Sequence, residues 1–201
     1  MVKRSPPARD RIVDAALKLA AERSWRQISS GDIARAAKVS LMVLHKNFKT
    51  KTSIVIGVME RVDQILIKGI DPFAANEPPR DRLLDVLMRR LDALTQNKAA
   101  ICSILREVTF EPASIICLAP HFYSSMAWTL ETAGISPTGI LGGLRVKGLA
   151  VIYMGALVVW SRDETPDQAK TLAYLDRRLR QAEILQNYFA DDSPWSTRAR
   201  H

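Results

Sequence analysis

Between Ser29 and Lys51 the chain gathers hydroxyls, cations and one histidine in a pattern suited to holding an anion. Arg35, Lys38, Lys46, Lys49 and Lys51 carry positive charge. Ser29 or Ser30 is placed to cap a short helix through Asp32, Ile33, Ala34 and Ala37, and Ser40 to cap another over 41–48. In both, a side-chain oxygen would accept from otherwise unpaired backbone amides. Two short helices, a brief link and surrounding Lys and Arg match a helix-turn-helix. Ile33, Ala34, Ala37, Val39, Leu44 and Phe48 are expected to pack inward, the small alanines letting the helix backbones approach. Leu41, Met42, Val43, His45 and Lys46 would then face the major groove of double-stranded DNA together. Lys49, Lys51 and Thr52 begin the next helix, where amides and ammonium groups suit a phosphate. Arg35, Lys38, Lys3 and Arg4 would add phosphate contacts that position the protein without reading sequence.

The charge balance supports the same site. Of 201 residues, 47% are hydrophobic and 25% charged, an ordinary globular composition. The net charge is +8, and its location matters. Residues 1–68 hold 14 Lys and Arg against 6 Asp and Glu, whereas residues 69–201 hold 15 of each. A basic first third joined to a neutral remainder fits a nucleic-acid module attached to a second domain, although a merely solvated basic face has the same composition. Cys102 and Cys117 are too few for a disulfide framework and lack metal-binding spacing. The start is basic and Pro-rich, unlike a secretory signal. The most apolar uncharged run, 148–161, has 14 residues, against the roughly 20 that span a bilayer. A cytoplasmic protein with no transmembrane segment is therefore expected.

Helical periodicity dominates, and the expected fold is all-α. Predicted helices cover 9–23, 51–68, 80–94, 98–110, 139–160 and 166–189, besides the two short ones. Ser24-Trp25-Arg26 interrupts the first, and Pro112, Pro120 and Pro137 punctuate the segments beyond 110. Gly69, Pro72, Pro78 and Pro79 mark a hinge within 69–80, and 191–201 reads as a frayed tail. The expected organisation is a DNA-binding domain over 1–50, a connecting helix over 51–68, and a helical bundle for ligand binding and dimerisation over 69–201.

Residues 9–60 resemble the TetR family of bacterial regulators without a gap. The stretches RDRIVDAALKLAAERSW, DIARAAKVS and LMVLHKNFKTKTSIVIGVM follow its ordered pattern through Ile33-Ala34, Val39-Ser40, Leu44, Phe48 and Lys51. Met42-Val43 stands where the family usually has Gly-Thr, His45 where it has Tyr, and Ser24-Trp25 where it has a Gly-aromatic turn. Met42 and Val43 would meet thymine methyls, and His45 would replace Tyr as a phosphate donor. Residues 160–183, WSRDETPDQAKTLAYLDRRLRQAE, are similar to the lipid-binding proteins of ubiquinone biosynthesis that share the TetR architecture; the Trp25 turn and residues 41–44 lean the same way.

The resemblances imply a dimer through the last two long helices, with Gly148, Gly155 and Ala156 leaving room for close approach. They also imply a small apolar ligand in the C-terminal bundle. Phe110, Phe122, Tyr123, Met126, Trp128, Tyr153, Met154 and Trp160 are the candidate lining, or else plain core. No cofactor is expected. His45, His121 and His201 lie far apart, no catalytic motif is present, and Glu107 and Glu111 lack the histidine a metal pair would need. The expected function is a ligand-responsive, dimeric DNA-binding regulator, in the sense of a repressor. The alternatives are an isoprenoid-binding accessory protein of quinone metabolism with a vestigial helix-turn-helix, and a redox sensor using Cys102 and Cys117.

Overall fold

The structure is a computed structural model that describes residues 6–69 and 77–191. Its helices are α1 (Ala8–Glu22), α2 (Ser30–Ala36), α3 (Leu41–Asn47), α4 (Lys51–Lys68), α5 (Pro79–Thr95), α6 (Lys98–Val108), α7 (Pro112–Thr132), α8 (Gly139–Ser161) and α9 (Ala169–Asp191), with a 3-10 turn at Trp25–Gln27. No strand occurs among the described residues. Lys3 and Arg4, most of the expected hinge and the tail lie outside them.

The chain forms two compact units that cut across the linear boundaries expected from sequence. Among the described residues, the first takes 6–69 together with 92–125, and the second takes 77–91 together with 126–191. In the first, α1 packs on α2, α3, α4 and α6. Ile12, Val13, Ala16, Leu17 and Ala20 of α1 are buried, as are Ile54 and Val58 of α4 and Ala100, Ile101 and Ile104 of α6. At Gly57 an added Cβ would stand 2.8 Å from the Phe48 ring and 3.3 Å from Val13 Cγ2, so the missing side chain is what seats that ring.

In the second unit, α8 packs on α9. Tyr153, Ala156, Leu157 and Trp160 of α8 are buried with Leu175 and Leu179 of α9. A Cβ at Gly155 would stand 2.0 Å from the Tyr174 hydroxyl, so this glycine serves packing within the chain. Gly148 is exposed with nothing within 4 Å of such a Cβ. α7 continues through Pro120, against the expected break there; Pro112 opens the helix, where proline's missing N–H costs nothing.

The 14-residue count understates α8. The helix has 23 residues and is long and apolar enough to cross a bilayer by length and composition, but it carries Arg145 and Lys147 and buries one side within the second unit.

Sequence reading missed Asp163, which ties the α8–α9 link. Its Oδ1 accepts from the Thr165 N–H at 3.1 Å and the Thr165 hydroxyl at 2.5 Å. Its Oδ2 accepts from the Thr171 N–H at 2.9 Å and hydroxyl at 2.7 Å. Burial alone would raise the acid's pKa; the Thr165 and Thr171 bonds overcome it and hold the carboxyl well below the usual carboxylate range. A group depressed in this way stabilises the fold above its unfolded pKa, and that contribution is lost as pH falls through the folded value. Asp163→Asn should therefore cost about 2 kcal/mol at pH 7. Denaturant titration should show the gap to the parent protein narrowing as pH falls below about 4.

Candidate DNA-binding surface

Local chemistry fixes how α3 is presented. α2 is capped at Ser29, whose side chain accepts from the Asp32 N–H at 3.1 Å while the Asp32 carboxylate accepts from the Ser29 N–H at 3.0 Å. Those bonds from Ser29, aided by Arg23 and Arg35, keep Asp32 below the ordinary carboxylate range. α2 ends with the Val39 N–H donating to the Ala34 carbonyl at 3.0 Å and Lys38 in the left-handed region at φ 54°, the geometry that closes a helix and reverses the chain. Ser40 then accepts from the Val43 N–H at 3.2 Å and starts α3.

One side of α3 is an anchor and the other is open. Leu44 and the C-cap Phe48 are buried. Leu41, Met42 and Val43 are 59%, 82% and 37% exposed, and His45 and Lys46 are exposed beside them. The Asn47 amide donates to the Val43 carbonyl at 2.8 Å, so this polar side chain is engaged along its own helix. Arg35, Lys38 and Lys49 are also exposed; Arg35 lies 3.3 Å from Asp32. Ser29 and Ser40 serve as caps, and Ser30 is half-buried in the first turn of α2.

Lys51 departs from the expected phosphate grip. Its Nζ donates to the Trp25 carbonyl at 2.6 Å and the Ile28 carbonyl at 3.1 Å, and sits 4.7 Å from the Trp25 ring centroid. Burial pushes its pKa down, while Glu111 and Glu107 pull it back up. The cation thus staples the 3-10 turn to the start of α4.

The two glutamates have partners in the same unit. Glu107 accepts from the Ser24 hydroxyl at 2.6 Å, and Glu111 accepts from the Ser114 hydroxyl at 2.6 Å. Ser114 is 3.3 Å from the Thr52 hydroxyl, and the Trp25 N–H donates to Ser103 at 3.2 Å. This network is legible in sequence only as an i, i+4 pair of acids, since apart from the local Ser114–Glu111 bond its contacts join residues about 60 to 80 positions apart. Among the described residues no group of three His, Cys, Asp or Glu is placed to hold a metal ion.

The apolar candidates for a ligand pocket divide between core and surface. In the second unit Met126, Tyr153 and Trp160 are buried, whereas Trp128 and Met154 are exposed. In the first, Phe110 and Tyr123 are exposed and Phe122 is half-buried, its ring edge-on to Tyr123 at 6.3 Å. Met126, Tyr153 and Trp160 therefore read as core, because a helix with apolar residues on every side must send some inward and some out. One cleft of about 250 Å³ is instead polar, lined by residues 20–24, Ala99, Ser103, Arg106 and Glu107. Both cysteines are free; Cys102 is half-buried, which raises its thiol pKa and weighs against a reactive thiolate.

A family model for bacterial regulatory proteins of the tetR family matches residues 12–58, the stretch from α1 into α4 that carries this geometry. The chain is a TetR-like regulator. A second family model, COQ9, matches residues 147–186, spanning most of α8 and α9. A TetR transcriptional regulator from Nitrosomonas europaea ATCC 19718 is 25% identical with a TM-score of 0.73, over 89% of this chain and 99% of that one. A TetR regulator from Rhodococcus sp. RHA1 is 18% identical with a TM-score of 0.65, over 87% and 94% of the two chains. GusR of Salmonella enterica is 15% identical with a TM-score of 0.55, over 89% and 98%. The latter two likenesses speak for the TetR-like fold alone. No curated protein matches the sequence.

The placement of the lysines separates two roles. Lys51→Met should lower thermal stability by several degrees, because two buried carbonyls lose their charged donor. Lys46→Ala and Lys49→Ala should leave the melting temperature within about 2 °C, since exposed substitutions away from such features cost little. Differential scanning calorimetry of the three variants checks both outcomes.

Proposed function

We propose that this TetR-like regulator binds operator DNA as a homodimer and acts as a repressor released by a small apolar ligand. The observation that carries the DNA half is α3: a short helix anchored by Leu44 and Phe48, with its open side flanked by exposed Arg35, Lys38, Lys46 and Lys49. Positive charge at those positions neutralises phosphates and fixes orientation, while the outward side chains of α3 reach base edges. Binding and release, rather than bond chemistry, is what this arrangement supports.

The exposed face of α8 and α9 supports the dimer. Ile140 and Val151 are 88% and 73% exposed, and Leu141, Leu144, Met154, Val158 and, on α9, Leu172 and Ile184 are exposed as well. Covering such a face with a second copy is the ordinary solution, and a two-fold axis would set two α3 helices about 34–36 Å apart to match one DNA turn. A ligand that binds better to a conformation with a different spacing would lower DNA affinity by the coupling free energy.

The COQ9 match over residues 147–186 favours a second reading of the bundle. On that reading the ligand is an isoprenoid and the chain serves quinone metabolism without reading DNA.

Short-duplex titration at several salt concentrations checks the first reading: with about 6 phosphates neutralised, log K should fall against log salt with a slope near −5. A flat response with isoprenoid retained in native mass spectrometry would favour the second. Sedimentation of Val151→Asp, a charge set into the exposed face of α8, should show a monomer where the parent sediments as a dimer.

A further inference from the structure

The groups that α3 turns out most fully at its start are apolar rather than hydrogen-bonding. Arg or Lys to guanine and Asn or Gln to adenine are the side-chain pairs that read base edges with two hydrogen bonds. α3 has no Arg or Gln, its one Asn donates to the Val43 carbonyl, and its remaining hydrogen-bonding groups, His45 and Lys46, lie in its last turn. Ser40 accepts from the Val43 N–H as the cap. The side chains turned out most fully at the start of the helix are Leu41 and Met42, with Val43 next to them. On the major-groove edge of DNA one group is apolar, the C5-methyl of thymine.

We propose that the α3 surface selects its DNA through thymine methyl groups, with Met42 as the specificity-determining residue. Leu41 and Val43 complete the apolar patch, and Lys38, Lys46 and Lys49 hold the phosphates on either side. The proposal rests on the DNA-binding reading above and deepens it from binding to the kind of sequence bound. DNA suits the patch better than a lipid surface does. α3 is seven residues long, too short for the long apolar stripe by which interfacial helices enter a bilayer, and the cations beside the patch suit a polyanion whose groove offers methyl groups.

The test uses the full chain and DNA alone. Duplexes are selected from a random-sequence pool, and the tightest binder is resynthesised with deoxyuridine for thymidine, which removes each C5-methyl and keeps every base pair. Affinity should fall about fourfold per contacted methyl, hence roughly 15-fold for a symmetric site with one in each half, with the salt slope unchanged. Met42→Ala, a change at an 82% exposed position that leaves the core intact, should bring the thymidine-to-deoxyuridine ratio close to one. Equal affinity for both duplexes would overturn methyl readout and leave the regulator standing. A ratio unchanged by Met42→Ala would overturn the role of Met42. No DNA selected, with binding to phosphatidylglycerol vesicles instead, would overturn this proposal and the DNA reading together.

Discussion

The seating of Phe48 governs the rest of the head. Its ring lies beside Gly57 and Val13, and the Arg9 guanidinium stacks 4.5 Å from its centroid. Arg9 also pairs with Glu60, and Arg61 bonds Asp14 at 2.5 Å and the Asp10 carbonyl at 3.1 Å, so α1 and α4 are clamped around the ring by charge. Phe48 is the C-cap of α3, and Leu44 sits one turn before it. With Leu44 of the seven-residue helix and its C-cap Phe48 both buried, the rotation of α3 is set, and residues 41–43, 45 and 46 have only one direction to face. Core packing, not any contact to DNA, decides what the head offers a partner.

A second set of contacts ties that head to α6 and α7 inside the same compact unit. Ser24 and Trp25 bond Glu107 and Ser103, Thr52 meets Ser114, and Lys51 lies under the influence of both glutamates. Polar groups on the turn after α1 are thus satisfied from α6, well along the chain. The sequence offered the acids, the hydroxyls and the lysine, but no spacing rule links positions about 80 residues apart. Lys51 is the case in point: at the start of a helix a lysine suits a phosphate, and only the Trp25 and Ile28 carbonyls beside its Nζ show that its donors point inward.

Legibility followed how local the cause was. Helix positions, a serine cap at Ser29 or Ser30, the Ser40 cap and the inward Ile33, Ala34, Ala37, Leu44 and Phe48 depend on neighbours within a few residues and are legible in sequence, whereas Val39, expected inward with them, is half-buried. The apolar candidates divide where tertiary packing decides. Met126, Tyr153 and Trp160 are chemically alike with Trp128 and Met154, yet the first three fill the core and the other two lie on the surface. Gly155 was read as room for a second subunit, whereas Tyr174 of the same chain occupies that space. Asp163 drew no notice because one acid in a polar link has no signature until four donors from Thr165 and Thr171 converge on it.

The union of residues up to Gly69 with 92–125 has a consequence for protein engineering. Excising the first 69 residues as a minimal fragment would strip α6 from α1 and leave Ser24, Trp25 and the buried side of α1 facing water. A chimera that grafts this head onto another bundle would meet the same difficulty, since the recipient's α6 would have to supply equivalents of Ser103 and Glu107. The transplantable piece is discontinuous in the chain: the reading helix travels with α6, or it arrives without its support.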